Sequence, residues 1–215
     1  MELFMRKLTC IDLFSGAGGL SEGFYQTGHI DFLAHVEWEM PMVNTLRENI
    51  EKRWGHSKEE ATKRVIHFDV QLTDELFEGN WSDKTLSLYG KSNAEVVAQY
   101  GLDGLVGEKS VDIIIGGPPC QAYSIAGRAQ DPKSMKDDYR NYLFESFVKI
   151  VDHYRPKAFV FENVPGMLSA CPGDTLVINR ICEAFKNIGY QIREPEEMNN
   201  SIYCSSDRFL LSTFM

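Results

Sequence analysis

Two short segments carry side chains suited to covalent chemistry on a ring. Gly116-Gly117-Pro118-Pro119-Cys120-Gln121-Ala122-Tyr123-Ser124 follows a mostly β-branched run without a gap. Two prolines fix the backbone and expose the next side chain, and a cysteine held there is suited to nucleophilic attack once its thiolate is stabilised. A lone cysteine after a strand is ordinarily a small buried hydrophobe; the rigid Pro-Pro-Cys-Gln setting reverses that preference. The second segment, Phe161-Glu162-Asn163-Val164-Pro165-Gly166, puts a carboxylate at a strand end. There it can hydrogen-bond a heteroaromatic ring nitrogen and share a proton with it. Taken alone, Glu162 is equally a turn acid or a helix cap.

A second set of residues has the character of a ligand cradle. Asp12-Leu13-Phe14-Ser15-Gly16-Ala17-Gly18-Gly19-Leu20 reads as a strand ending in a glycine-rich turn that opens into a helix. Such a turn lets backbone approach a ligand, and the first helical N–H groups bind anionic or polar atoms. A tight structural turn has the same appearance. The spacing is not the dinucleotide fingerprint, because Ser21 stands where its third glycine belongs. Glu37, followed by Trp38, ends the next strand; a carboxylate there commonly takes two ribose hydroxyls, and an indole beside it can stack on adenine. The alternative is a solvated Glu beside a core Trp. Asp69 ends a third strand and is placed to meet an adenine amino group.

These residues need a scaffold that brings several strand ends to one edge. Short apolar runs alternate with longer amphipathic stretches, the pattern of a parallel sheet covered by helices on both faces. The expected strands are Leu8 to Leu13, Phe32 to Glu37, Val65 to Val70, Val111 to Ile115 and Ala158 to Phe161, with Gln191 to Arg193 a weaker sixth. Helices are expected over Gly19 to Gln26, Met42 to Arg53, Tyr139 to Tyr154 and Thr175 to Asn187. From Gln71 to Ser110 the periodicity fades, and the segment reads as a surface insertion with one short helix around Ala94 to Tyr100. Phe209-Leu210-Leu211 reads as too short for another βα unit. The expected organisation is a catalytic domain over 1–190 and a divergent tail over 191–215.

Composition narrows the class. The 215 residues suffice for one ordinary domain, and 43% hydrophobic with 25% charged residues is the balance of a globular protein. No apolar run is long enough to span a bilayer and no secretory signal pattern opens the chain, so a cytoplasmic location is the expectation. Five scattered cysteines form neither a disulfide framework nor a Cys-x-x-Cys pair, and no metal is expected. A net charge of −9 disfavours a strong grip on a phosphate backbone by this chain alone.

In order and spacing, the glycine turn, Glu37-Trp38, Asp69-Val70, Pro118-Pro119-Cys120-Gln121 and Glu162-Asn163-Val164 resemble the DNA cytosine carbon-5 methyltransferase family, from about Leu8 to Tyr190. The resemblance implies a Rossmann-like, mostly parallel α/β fold that binds S-adenosylmethionine and releases S-adenosylhomocysteine. It implies cofactor contacts from Phe14, Ser15, Gly16, Gly18, Gly19, Leu20, Glu37, Trp38, Asp69, Val70, Pro119 and Leu143. Cys120 would attack carbon-6 of a cytosine flipped out of DNA, while Glu162 would hold the ring nitrogen protonated. Gln121, Ser124 and Arg128 would contact DNA.

Downstream the resemblance fails. The family continues into an Asn-Ala-x-x-Tyr-Gly-x-Pro-Gln-x-Arg-x-Arg strand, whereas Gln191 to Asn200 does not match and Arg208 is no substitute. The fold is therefore expected to be incomplete at its carboxyl end, without a target-recognition domain. The chain reads either as one subunit of a split enzyme, whose complementary chain carries that domain, or as the product of a truncated or frameshifted gene, and little activity is expected from the chain alone. The rival readings are a tRNA-directed relative, a non-catalytic S-adenosylmethionine-binding or interaction protein, and, with little weight, a nicotinamide-dependent oxidoreductase.

Overall fold

The computed structural model of the chain describes residues 6–118, 143–162, 176–193 and 209–211. These residues divide into two compact units, one ending at Gly116 and the other beginning at Gly117.

In the first unit the elements are β1 (Leu8–Leu13), α1 (Gly19–Gln26), β2 (Ile30–Glu37), α2 (Met40–Lys52), α3 (Lys58–Arg64), β3 (Val65–His67), α4 (Thr73–Glu78), α5 (Asp83–Tyr89), α6 (Glu95–Val106) and β4 (Ile113–Gly116). The strands pair in parallel in the order β3-β2-β1-β4, the arrangement of a Rossmann-like half-sheet. Parallel strands are covered on both faces, which is why β1 and β2 are almost wholly buried. Helix α2 turns Val43, Leu46 and Ile50 inward at helical spacing. The short α3 is absent from the expectations above. Its signal is a capping pattern, Ser57 to Glu60, in which the Ser57 hydroxyl accepts a hydrogen bond from the Glu60 amide at 3.1 Å.

The segment from Gln71 to Ser110 carries more helix than the one short helix expected of it. It folds into α4, α5, a 3-10 turn (Gly90–Ser92) and α6, and it buries Leu76, Trp81, Val97, Leu102 and Val106. Helices of six and seven residues show too little of a 3.6-residue repeat to be read from pattern. Gly101 (φ +62°) kinks α6 where its backbone meets that of Leu76 and Gly79, an approach with no room for a side chain. The segment also covers β3. Asn93 accepts from the His67 amide at 2.9 Å and donates to the His67 carbonyl at 2.8 Å, so its side chain pairs with the strand as a neighbouring strand would.

The second unit contains α7 (Leu143–Tyr154), β5 (Ala158–Phe161), α8 (Val177–Asn187), β6 (Gln191–Arg193) and β7 (Phe209–Leu211). Its core is aromatic: Phe159 stacks on Phe185 at 4.2 Å, Phe147 meets both edge-on or tilted, and Tyr190 donates to the Pro156 carbonyl at 2.7 Å. Phe209 to Leu211, too short for another βα unit, still pair as a strand. These three residues form a strand in parallel register with both β5 and β6, giving the order β5-β7-β6. A three-residue strand carries almost no periodicity, and its neighbours on the sheet make it a strand.

No helix among the described residues is long and apolar enough to cross a membrane. Among them, no group of three or more His, Cys, Asp or Glu side chains could hold a metal ion.

Candidate active site

The turn after β1 is built under strain. Phe14 takes φ +56°, a left-handed conformation costly for a residue with a Cβ and typical of ligand-binding turns. The Ser15 hydroxyl donates to the Asp12 carbonyl at 3.0 Å, and the Ser15 amide donates to the Val36 carbonyl at 3.2 Å, tying the turn to β2. Gly18, at φ +91°, caps α1 with Leu46 Cδ1 only 2.5 Å from where its Cβ would be, so helix α2 packs directly on the turn. Gly16 and Gly19 instead face open space. Leu20, in the first turn of α1, is half-buried.

Glu37 locks this turn in place. One carboxylate oxygen accepts from the Gly16 amide and the other from the Glu39 amide, both at 2.8 Å, and the side chain is 8% exposed. Each oxygen keeps a lone pair free for a hydroxyl donor. Trp38 is 49% exposed, an unusual setting for an indole. Its backbone is held by His67, whose ring nitrogen lies 2.9 Å from the Trp38 carbonyl. Asp69 accepts from the Gln71 amide at 3.0 Å and is half-buried, while Val70 is buried. The open glycines, the anchored carboxylate and the exposed indole fit a nucleoside-bearing ligand of the S-adenosylmethionine kind.

A polar cluster behind the turn escaped the sequence reading. Asp12, Ser21 and His35 are each no more than 1% exposed. The Ser21 hydroxyl donates to Asp12 Oδ2, and His35 Nδ1 lies 3.1 Å from Ser21 Oγ and 3.6 Å from Asp12 Oδ2. The cluster joins β1, α1 and β2 beneath the glycines. Its sequence signals are a serine at the third-glycine position and a histidine inside an otherwise apolar strand.

In the second unit, Glu162 follows β5 directly and burial pushes its carboxyl above the ordinary glutamate range. It lies against the backbone of Gly117. Leu143, the first residue of α7, is 6% exposed and belongs to that helix's apolar face. Pro119, Cys120, Gln121, Ser124 and Arg128 lie outside the described residues, as do Asn163 and Val164. Chain connectivity alone bounds Cys120: three peptide units from Gly117 span at most about 11 Å.

Comparison with known proteins places this arrangement. The profile of the C-5 cytosine-specific DNA methylase family matches residues 8–79 and 76–203. A Type II methyltransferase of Bacillus paralicheniformis is 36% identical over 211 residues, an alignment covering 85% of this chain and 46% of that protein. A DNA (cytosine-5-)-methyltransferase of Aeropyrum pernix is 31% identical over 197 residues, covering 92% of this chain and 37% of the relative. The chain thus spans less than half the length of these curated relatives. A solved structure of a Spodoptera frugiperda DNMT2 mutant aligns with TM-score 0.50 at 15% identity, over 97% of this chain and 55% of that one, a likeness of fold. With the profile matching both the glycine turn and the segment around Glu162, the chain belongs to the C-5 cytosine-specific DNA methylase family.

Proposed function

We propose that this chain carries the cofactor cradle and catalytic groups for methyl transfer to carbon-5 of cytosine in DNA. Bound S-adenosylmethionine supplies an electrophilic methyl group on its sulfonium. Glu37 accepts the ribose hydroxyls on its free lone pairs, Trp38 stacks on the adenine, and Asp69 meets the adenine amino group. Phe14, Ser15, Gly16, Gly18, Gly19 and Leu20 form the floor under the amino-acid end, with Val70, Pro119 and Leu143 contributing apolar contacts. Cys120 adds to carbon-6 of the extruded base, and Glu162 donates a proton to the ring nitrogen as the thiolate adds. Carbon-5 gains nucleophilic character and takes the methyl group, with S-adenosylhomocysteine leaving, and the ring nitrogen returns its proton to Glu162; loss of the carbon-5 proton to solvent with expulsion of the Cys120 thiolate restores the double bond. Gln121, Ser124 and Arg128 contact the DNA.

The observation that carries this reading is Glu162. A half-buried carboxyl with a raised pKa holds a proton at higher pH than an ordinary glutamate, as a proton donor to a ring nitrogen requires. It sits against Gly117, three residues ahead of the candidate nucleophile. The test is transfer of a labelled methyl group from S-adenosylmethionine to unmethylated duplex DNA, run with the chain alone and with any complementary chain added. The product should be 5-methylcytosine, and Cys120→Ser and Glu162→Gln should each abolish it. Transfer that survives Cys120→Ser excludes the mechanism, and transfer to tRNA but not DNA changes the substrate.

A further inference from the structure

The residue before the two prolines is glycine for a reason outside its own backbone. Gly117 does not adopt a positive φ, so its conformation is open to any residue. What forbids a side chain is Glu162. A Cβ at Gly117 would lie 2.9 Å from the Glu162 carbonyl oxygen and 3.3 Å from its Cβ, and would overlap Oε2. The space a side chain would fill is thus taken by the carboxyl.

We propose that Gly117 is a positioning residue for Glu162: its bare backbone is the wall on which the carboxyl rests, in the segment that leads to Cys120. This deepens the function proposed above and rests on it for its catalytic meaning. Physically, a peptide wall excludes water from one face of the carboxyl and fixes the direction of Oε2. Among the described residues, burial is the cause of the carboxyl's raised pKa and no charged group acts on it. A side chain at 117 would push the carboxyl outward, rehydrate it and return it toward ordinary glutamate behaviour.

The test is carbon-13 NMR titration of glutamate carboxyls in the whole chain, with the Glu162 signal assigned by its loss in Glu162→Gln. In the native chain that signal should titrate above the other glutamates, and in Gly117→Ala it should move down toward them. An unchanged titration in Gly117→Ala overturns the proposal. The variant Gly117→Ala/Glu162→Asp guards against a misfolded single variant. A carboxyl one methylene shorter makes room for the added methyl, so the pair should be more stable than the sum of the two single effects. Additive effects in urea unfolding, or no recovery of folded chain where Gly117→Ala alone fails to fold, also overturn it. These readouts do not need activity. If the chain methylates no DNA but the titration moves, the reaction assignment falls and the coupling stands; if methylation depends on Glu162 but the titration does not move, only the coupling falls.

Discussion

Glu37→Gln separates a structural carboxylate from one that also binds ligand. The native carboxylate accepts two backbone amides at 2.8 Å while nearly buried. Glutamine has the same shape but can offer its carbonyl oxygen to only one of them, leaving its own amide group facing the other N–H. One hydrogen bond to a charged acceptor is lost, worth about 1.5–3 kcal/mol, and the second becomes a neutral bond worth about 1 kcal/mol. The expected loss of stability is about 2–5 kcal/mol, with the lower end applying where water reaches the half-buried Gly16 amide. Ribose hydroxyls donating to a carboxylate obey the same scale, and each 1.4 kcal/mol is tenfold in affinity, so S-adenosylhomocysteine should bind about 10–100-fold more weakly. Calorimetric titration beside urea unfolding measures both quantities. Unchanged stability would refute the hydrogen-bond argument. Lost stability with affinity within about twofold of the native chain would make Glu37 a strut with no ligand role.

Three further outcomes are expected. Trp38→Ala, at an exposed site, should change stability by less than about 0.5 kcal/mol yet weaken S-adenosylhomocysteine binding severalfold, read by calorimetry. Ser21→Ala strips Asp12 and His35 of their shared partner inside the core and should cost about 1–3 kcal/mol in urea unfolding; a cost near zero would mean the cluster does not brace the turn. Burial depresses the His67 pKa, so the unfolded chain takes up this proton first as pH falls. Stability from this group is therefore fully present above the unfolded histidine value of about 6.5 and is lost as pH falls through the folded value. Unfolding midpoints at pH 7.5 and 5.5 should differ less in His67→Asn; His56, depressed by burial and Arg64, contributes in the same direction and persists in that variant.

How much of this was legible beforehand depended on the range of the interactions. β1, α1 and β5 coincide with their expected bounds because each is a run of local preference, apolar or amphipathic, with a turn former or a charge within a few residues of its end. The glycine turn, Glu37 and Glu162 stood out for a related reason, since residue type at a strand end is local information. α3, α4 and α5 stayed hidden because short helices carry little periodicity, and β7 because three residues carry none.

Tertiary structure alone decided what those residues touch. No spacing rule links Asp12, Ser21 and His35, yet parallel pairing of β1 and β2 under α1 buries them together. Asn93 becomes a surrogate strand for β3 only because the chain returns to it across more than twenty residues. The sequence by itself determined the chemical groups and the strands that end in them, because composition and local conformational preference are properties of neighbours along the chain. The contacts that orient those groups, the Gly16 amide on Glu37 and the Gly117 wall against Glu162, arise between residues 21 and 45 positions apart. Only the packed fold can bring such residues together.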